Sequence, residues 1–502
     1  LREPNSQAEV CGVSAFSSET RILSVSALAG LDFFEQEIAT MRIFLNPIFS
    51  PCSAQEVSTM GKKKLAVEYR QVAALRPNPQ NARVHSDKQI RQVARSIESF
   101  GFNVPILVDS HLQVVAGHGR LLACKLLGIT EVPTIRLEHL SEHQIAAFTI
   151  ADNRLTENAQ WNDRLLGEQL KILSEVELDF SLETTGFEMS EIDIFIENLA
   201  PSGETEADPA DEIPNSQTKP QVTEIGDSWV LKRHRVYCGD ARDASAYSTL
   251  MKGRRANMVF TDPPDNDPID GYVTGFGSIH HPEFAVASGE MSPPEFTEFL
   301  TAFVAHAARN SVDGALQFVF MDWRHASELI SAAQSVYSEF KNICVWVKEN
   351  AGQGSLYRSQ HEFVFVFKNG TKPHRNNIQL GQYGRYRTNV WRYQRVSSLS
   401  RNSEEGVLSH LHPTIKPVEL VADAILDCTA RGDVVLDPFL GSGTTVIAAE
   451  RSGRICYGIE LDPRYVDTIV RRWQLFSHLE AVHQSTGQTF AQCEEEALNA
   501  KR

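Results

Sequence analysis

The sequence predicts an α/β protein, with a largely parallel sheet covered by helices on both faces and a smaller α+β domain ahead of it. Three observations carry this. After residue 222, short apolar runs recur between helical segments, the pattern of strands joined by crossover helices. Two of those runs end in sharp turns, at Asp262-Pro263-Pro264-Asp265 and at Asp437-Pro438-Phe439-Leu440-Gly441-Ser442-Gly443. Between the two parts, residues 200–221 mix Pro201, Pro209, Pro214 and Pro220 with Glu204, Glu206, Asp208, Asp211 and Glu212. That stretch reads as an acidic linker, too polar to bury a core.

At 502 residues, 42% hydrophobic and 22% charged, the composition is that of an ordinary globular protein with room for several cores. No apolar run is long enough to span a bilayer. The eight cysteines are scattered without a C-x-x-C pair, which argues against a zinc site or disulfide framework and for a reducing cytoplasm. A net charge of −16 disfavours nucleic acid only on average, because a local basic face still binds phosphates. Ile22–Gly30 has some features of a signal-peptide core, but its flanks lack the charge and cleavage site. Residues 1–59 are expected to be a poorly ordered extension, with Met60-Gly61-Lys62-Lys63-Lys64 as the natural start.

The first domain is expected over 60–140. Ile90, Val93, Ala94 and Ile97 line one face of a helix, and two short strands follow at Pro105–Val108 and Gln113–Ala116. The second breaks at Gly117-His118-Gly119-Arg120, and Leu121–Leu127 continues as a helix ended by Gly128. Residues 141–199 read as a helical extension interrupted at Asn153, Asn158 and Trp161. The second domain spans 222–480, with strands expected at Met258–Thr261, Leu316–Met321, Ile343–Val347, Phe363–Phe367, Val434–Leu436 and Cys456–Ile459, and a tail over 481–502. Ligands of such sheets bind at the carboxyl ends of strands.

Gly441 and Gly443 let the backbone turn tightly at a helix N-terminus. No lysine follows Gly443, so a triphosphate loop is disfavoured, and Val446 stands where a dinucleotide fingerprint needs its third glycine. Glu460 ends the next strand, at a spacing that suits a ribose diol. In Asp262-Pro263-Pro264 the prolines remove donors and stiffen the loop, so a carboxylate and carbonyls point outward as acceptors for an amino group. An ordinary proline turn is the alternative. Residues 351–401 hold nine Lys and Arg against the single carboxylate Glu362, with Tyr383, Tyr386, Trp391 and Tyr393 interleaved. That is the footprint of a nucleic-acid contact or of a solvated basic loop.

These motifs resemble the beta group of amino-methylating DNA methyltransferases, in which D-P-P-Y precedes F-x-G-x-G. Cys238-Gly239-Asp240, His361-Glu362-Phe363-Val364 and His412-Pro413-Thr414-Ile415-Lys416-Pro417 also fit, over about 222–475. The resemblance implies a Rossmann-like methyltransferase sheet using S-adenosylmethionine, held by Asp240, Asp437, Phe439, Gly441, Gly443, Thr444, Glu460, Thr414 and Lys416. Asp262, Pro263, Pro264 and Asp265 become the catalytic loop acting on a flipped base, with adenine N6 favoured over cytosine N4. No metal is implied. Asp265 departs from the family, which places Tyr there, so a catalytically weakened DNA- or nucleotide-binding module is the alternative. The basic segment, taken to 410, would be the target-recognition element in contact with double-stranded DNA, through Arg385, Arg387, Arg392, Arg395, Tyr386 and Trp391. A metal-dependent nuclease using Asp262, Asp265, Asp267 and Asp270 is a third reading.

Residues 67–160 resemble the ParB/sulfiredoxin-like domain, through Asn81-Ala82-Arg83 and Val115–Ala123. By that resemblance Gly117, Gly119 and Arg120 form a phosphate turn, with His118 in place of the usual acid. A nucleotide at that turn and a homodimer stay open.

Overall fold

The computed structural model describes residues 65–176, 178–199, 209–214, 219–266, 289–348, 351, 356–393 and 416–500. The amino-terminal part is a four-stranded sheet in the order β1-β4-β2-β3, from β1 (Val67–Gln71), β2 (Ile106–Val108), β3 (Val114–Ala116) and β4 (Glu131–Arg136). Ile106, Val108, Val114 and Val132 bury against Leu121 and Cys124 of α2 (His118–Leu127). Ser86 caps α1 (Asp87–Phe100) by accepting the Gln89 N–H, and Gly128 closes α2 in the left-handed conformation.

The helical stretch contains α3 (Glu142–Glu157), α4 (Asp163–Glu175) and α5 (Met189–Glu197). Asn153 does not interrupt α3, because its amide donates back to the Thr149 carbonyl one turn earlier, at 2.9 Å. The linker is also less solvated than its composition predicts. Ala210 and Ile213 are buried, the Ala210 carbonyl accepts from Arg472, and the Asp211 carboxylate accepts the Val418 N–H. Asp211 therefore caps backbone instead of facing water, while Glu212 stays exposed.

The second sheet has ten strands. Its central run is β8 (Ser311–Met321), β7 (Ala256–Thr261), β12 (Val434–Asp437), β13 (Ile455–Glu460) and β6 (His234–Cys238), all parallel. Beyond β8 come β10 (His361–Lys368), β9 (Glu339–Val347) and β11 (Val390–Arg392); beyond β6 come β5 (Ser228–Leu231) and β14 (Val482–His483). Helices α6 (Ala244–Met251), α7 (Pro293–Arg309), α8 (Ala326–Gln334), α9 (Val418–Cys428), α10 (Thr444–Ser452) and α11 (Pro463–Ser477) pack on the sheet through its apolar clusters, and α12 (Phe490–Ala500) ends the chain. The strands are near-continuous Val/Ile/Phe runs because both faces are covered. Strand β10 runs antiparallel to β8, so its amino end lies at the same edge as the carboxyl ends of β7 and β8.

Helix α5 joins the helical stretch to this sheet through a buried ion pair. Asp193 accepts from Arg454 at 2.8 and 2.9 Å and from Arg431 at 3.0 Å, and neither Asp193 nor Arg454 is exposed. Removing one partner leaves the other charge buried. Asp193→Ala is expected to lower the unfolding free energy by about 3–5 kcal/mol, measured by urea denaturation of the full chain.

Candidate active site

Four carboxylates end neighbouring parallel strands: Asp262 after β7, Asp437 on β12, Glu460 on β13 and Asp240 after β6. The sheet thus brings together residues separated by up to 220 positions in the chain (240 to 460). Asp437 links two of these strand ends. Its carboxylate accepts from the Thr261 hydroxyl at 2.8 Å, the Thr445 hydroxyl at 2.6 Å and the Phe439 N–H at 3.1 Å. Burial pushes its pKa up to about 6 against those three donors.

The glycine turn begins immediately afterwards. Gly443 has φ +83° and caps α10, and a Cβ there would meet Ile469 at 2.9 Å. The close approach that a third glycine of the fingerprint would supply comes from Gly458, on the next strand. A Cβ on Gly458 would lie 2.3 Å from Leu440, so the turn crosses β13 only because that residue is Gly. Fully buried Arg472 donates to the Ser442 carbonyl and the Thr444 hydroxyl, both at 3.1 Å, tying the turn to α11.

Glu460 accepts the Gly441 N–H at 2.8 Å on one oxygen and the Asp462 N–H at 2.9 Å on the other. Each oxygen keeps a lone-pair site for a hydroxyl donor. Burial, then the charges of Asp462 and Asp437, raise its pKa to about 7. Asp240 is held by Arg242, whose Nε and Nη2 donate to its two oxygens at 3.0 and 2.6 Å. Phe439 packs edge-on against Phe303. These acceptors, the glycine cradle and the apolar wall suit a neutral ribose with an apolar base. Thr414 lies outside the described residues.

Lys416 lies at the Asp262 end of the site. Its Nζ donates to Asp262 at 2.5 Å, pairs with Glu362 at 3.2 Å and lies 4.7 Å above the Phe320 ring. Burial raises the Asp262 pKa above the usual carboxylate range, and Lys416 opposes the shift. Asp265 accepts the Asp322 N–H at 3.0 Å; burial, then the Asp262 charge, push it up to about 8. Pro263 is buried and Pro264 half-buried. Asn266 closes the loop, donating to the Met291 carbonyl and accepting the Gly289 and Met291 N–H groups. Asp267 and Asp270 lie outside the described residues. Among the described residues no group of three His, Cys, Asp or Glu is arranged to hold a metal, and no helix is long and apolar enough to cross a membrane.

The basic segment departs from expectation. Arg385, 8% exposed, donates to Asp423 at 2.9 Å and Asp427 at 3.1 Å. Arg387 donates to the same two carboxylates and to the Tyr393 hydroxyl. Trp391 is buried against Phe318. These three are not free to meet a phosphate or a base, because carboxylates on α9 neutralise the arginines and the sheet covers the tryptophan. Tyr386 and Arg392 are exposed; Arg395 lies outside the described residues. In the first domain, a Cβ on Gly117 would sit 3.1 Å from the Arg120 guanidinium, which folds back to donate to the Val104 carbonyl. His118 accepts the Asn78 N–H, and Gly119 lies against the His85 ring.

Sequence reasoning missed Lys348, Thr261, Thr445, Asn266 and Arg472, and it quoted Glu362 within the His361-Glu362-Phe363-Val364 motif without giving it a role.

Comparison with known proteins agrees with this layout. Family models match at residues 256–471 (DNA methylase), 56–154 (ParB N-terminal domain) and 164–224 (ParB-methyltransferase HTH domain). The ParB-like nuclease domain-containing protein YnaK of Escherichia coli (strain K12) is 40% identical over 82 residues, 16% of this chain and 94% of that one. Type II methyltransferase M2.MboI of Moraxella bovis is 26% identical over 254 residues, covering 48% of this chain and 88% of that one. DNA adenine methyltransferase YhdJ of Escherichia coli (strain K12) is 32% identical over 168 residues, 32% of this chain and 53% of its own. Residues 256–471 therefore match the N6/N4 DNA methyltransferase family, and a ParB-like domain precedes them in the chain. The methyl donor of that family is S-adenosylmethionine.

Two outcomes are expected. A carboxyl with a raised folded pKa contributes stability at low pH that is lost as pH rises through that value. The difference in unfolding free energy between Glu460→Gln and wild type should therefore move in favour of the variant as pH rises from 5 to 8, read by urea denaturation without donor. Arg385→Ala should lower thermal stability by several degrees, whereas Arg392→Ala should leave it unchanged and weaken duplex binding, read by fluorescence anisotropy at two salt concentrations.

Proposed function

We propose that the chain methylates the exocyclic N6 of adenine in double-stranded DNA. The observation that carries this is Asp262 beside the glycine turn, with Thr261 and Asp437 holding the two strand ends together. Asp262 accepts one amine hydrogen and the Pro263 carbonyl the other, which localises the nitrogen lone pair and aims it. S-adenosylmethionine supplies a methyl group on a sulfonium sulfur: the S–C bond breaks toward sulfur, an N–C bond forms and one amine proton is released to solvent. Gly441, Gly443, Asp437, Phe439, Thr444 and Glu460 hold the donor, with Glu460 on the ribose hydroxyls and Asp240 near the adenine. The base must leave the helix to reach Asp262. Exposed Arg392 and Tyr386 are retained as DNA contacts. Adenine is preferred because D-P-P resembles the adenine type and one relative is named as an adenine methyltransferase; cytosine N4 is the other product this family makes.

Asp265 favours a second reading, a weakened enzyme. It offers no π-face to stack on a flipped base, a contact worth about 1–3 kcal/mol. Radiolabelled methyl transfer to unmethylated DNA, followed by separation of the nucleosides, tests both readings. The expected product is N6-methyladenine, absent with Asp262→Ala, and Asp265→Tyr should raise turnover. No transfer with donor bound would overturn the first reading, and full wild-type turnover without gain from Asp265→Tyr would overturn the second.

A further inference from the structure

Four charged side chains from four separate elements alternate in sign along the carboxyl edge of the sheet. Lys348 follows β9, Glu362 belongs to the start of β10, Lys416 precedes α9 and Asp262 follows β7. Lys348 pairs with Glu362, and Lys416 bridges Glu362 and Asp262 at 3.2 and 2.5 Å. Lys416 is 7% exposed, its stem enclosed and its ammonium on the Phe320 ring, so it has little freedom to turn elsewhere. Lys348 lies 5.3 Å over the Trp346 ring, which restrains the far end in the same way.

We propose that Lys416 and Glu362 are positioning residues for methyl transfer: Lys416 occupies Oδ2 of Asp262 and leaves Oδ1 for the target amine, while Glu362, held by Lys348, fixes Lys416. The inference rests on the methyl-transfer reading of Asp262. An unclamped carboxylate offers either oxygen through a rotation about its Cβ–Cγ bond, and only one orientation aims the amine at the donor. Removing that freedom is the entropic gain available from positioning. The clamp has an electrostatic side as well. Asp262 is faced by Lys416, Glu362 and Lys348, and by Asp265 and Asp437. Glu362 and Asp437 are carboxylates, so loss of the lysine would favour the protonated acid, which accepts hydrogen bonds poorly. Glu362 is held down to about 2 by the two lysines despite its burial, which keeps Lys416 paired across the working pH range.

The alternative, that Lys416 binds the methionine end of the donor, gives different results. Lys416→Met, Lys416→Arg, Glu362→Gln and Asp262→Asn would be compared in the full chain for donor affinity by calorimetry, for single-turnover methyl transfer between pH 5.5 and 9, and for urea unfolding. Lys416→Met is expected to leave donor affinity unchanged, to lower the transfer rate by roughly 10²-fold and to move the acid limb of the pH profile upward. Glu362→Gln should act in the same direction with a smaller effect, and Lys416→Arg should recover most of the rate. In unfolding, Lys416→Met should cost less in the Asp262→Asn background than alone, the coupling of a direct pair. An unchanged rate and acid limb, or lost donor affinity at an unchanged transfer rate, would overturn the proposal. So would additive unfolding energies, which decide the clamp even if the wild type transfers no methyl group.

Discussion

The carboxylate of Asp437 is the point on which the site depends. It is the last residue of the central strand and accepts hydrogen bonds from three directions: the strand that carries Asp262, the turn that carries Gly441 and Gly443, and the first turn of α10. A buried carboxylate is costly unless donors surround it, and three donors here offset that cost. The same three bonds fix the distance between the proposed target loop and the proposed donor turn. Its elevated pKa, about 6, shows how close the balance is.

The strand ends were legible because their signals are local. Two prolines stop a strand, two glycines turn a chain, and an apolar run before each gives the strand. What was not legible is pairing across the fold. Residues 351–401 carry one carboxylate in sequence, and the segment read as a bare cationic surface. In space Asp423 and Asp427 neutralise Arg385 and Arg387, Glu183 pairs with Arg375, and Glu339 with Lys368. A window count cannot see acids that lie up to 192 positions away. Burial of Asp211 and Ala210 within the expected linker has the same cause. Asp211 and the Ala210 carbonyl have partners that belong to α9 and α11, and these partners permit burial that composition forbids.

Helix α5 gives the ParB-like and methyltransferase parts a common mechanical element. Lys88 on α1 pairs with Glu188 at its amino end, at 3.0 Å, and also contacts Tyr383 of the basic segment. Asp193 in its middle is locked to Arg431 and Arg454, and Glu197 at its carboxyl end lies 3.9 Å from Arg385. One short helix thus touches the first domain, the back of the central sheet and the segment proposed to face DNA. The exposed Lys88 contact is weak, whereas the buried Asp193 pair is expensive to break.

Asp265 becomes intelligible once the charges around it are counted. Asp262 and Glu362 are matched by Lys416 and Lys348, so this group is balanced without Asp265. An additional ionised carboxylate would unbalance it. Burial and the Asp262 charge raise the Asp265 pKa to about 8, so near neutrality it is mostly protonated. In that form it adds no charge, as the aromatic residue of the resembled family adds none. The two residues differ in shape and polarity, and in what happens at higher pH. Above about 8 the carboxylate ionises, the group turns net negative, and the backbone N–H of Asp322 becomes the one donor described for it. The electrostatic effect of the substitution is therefore expected to grow as pH rises through about 8.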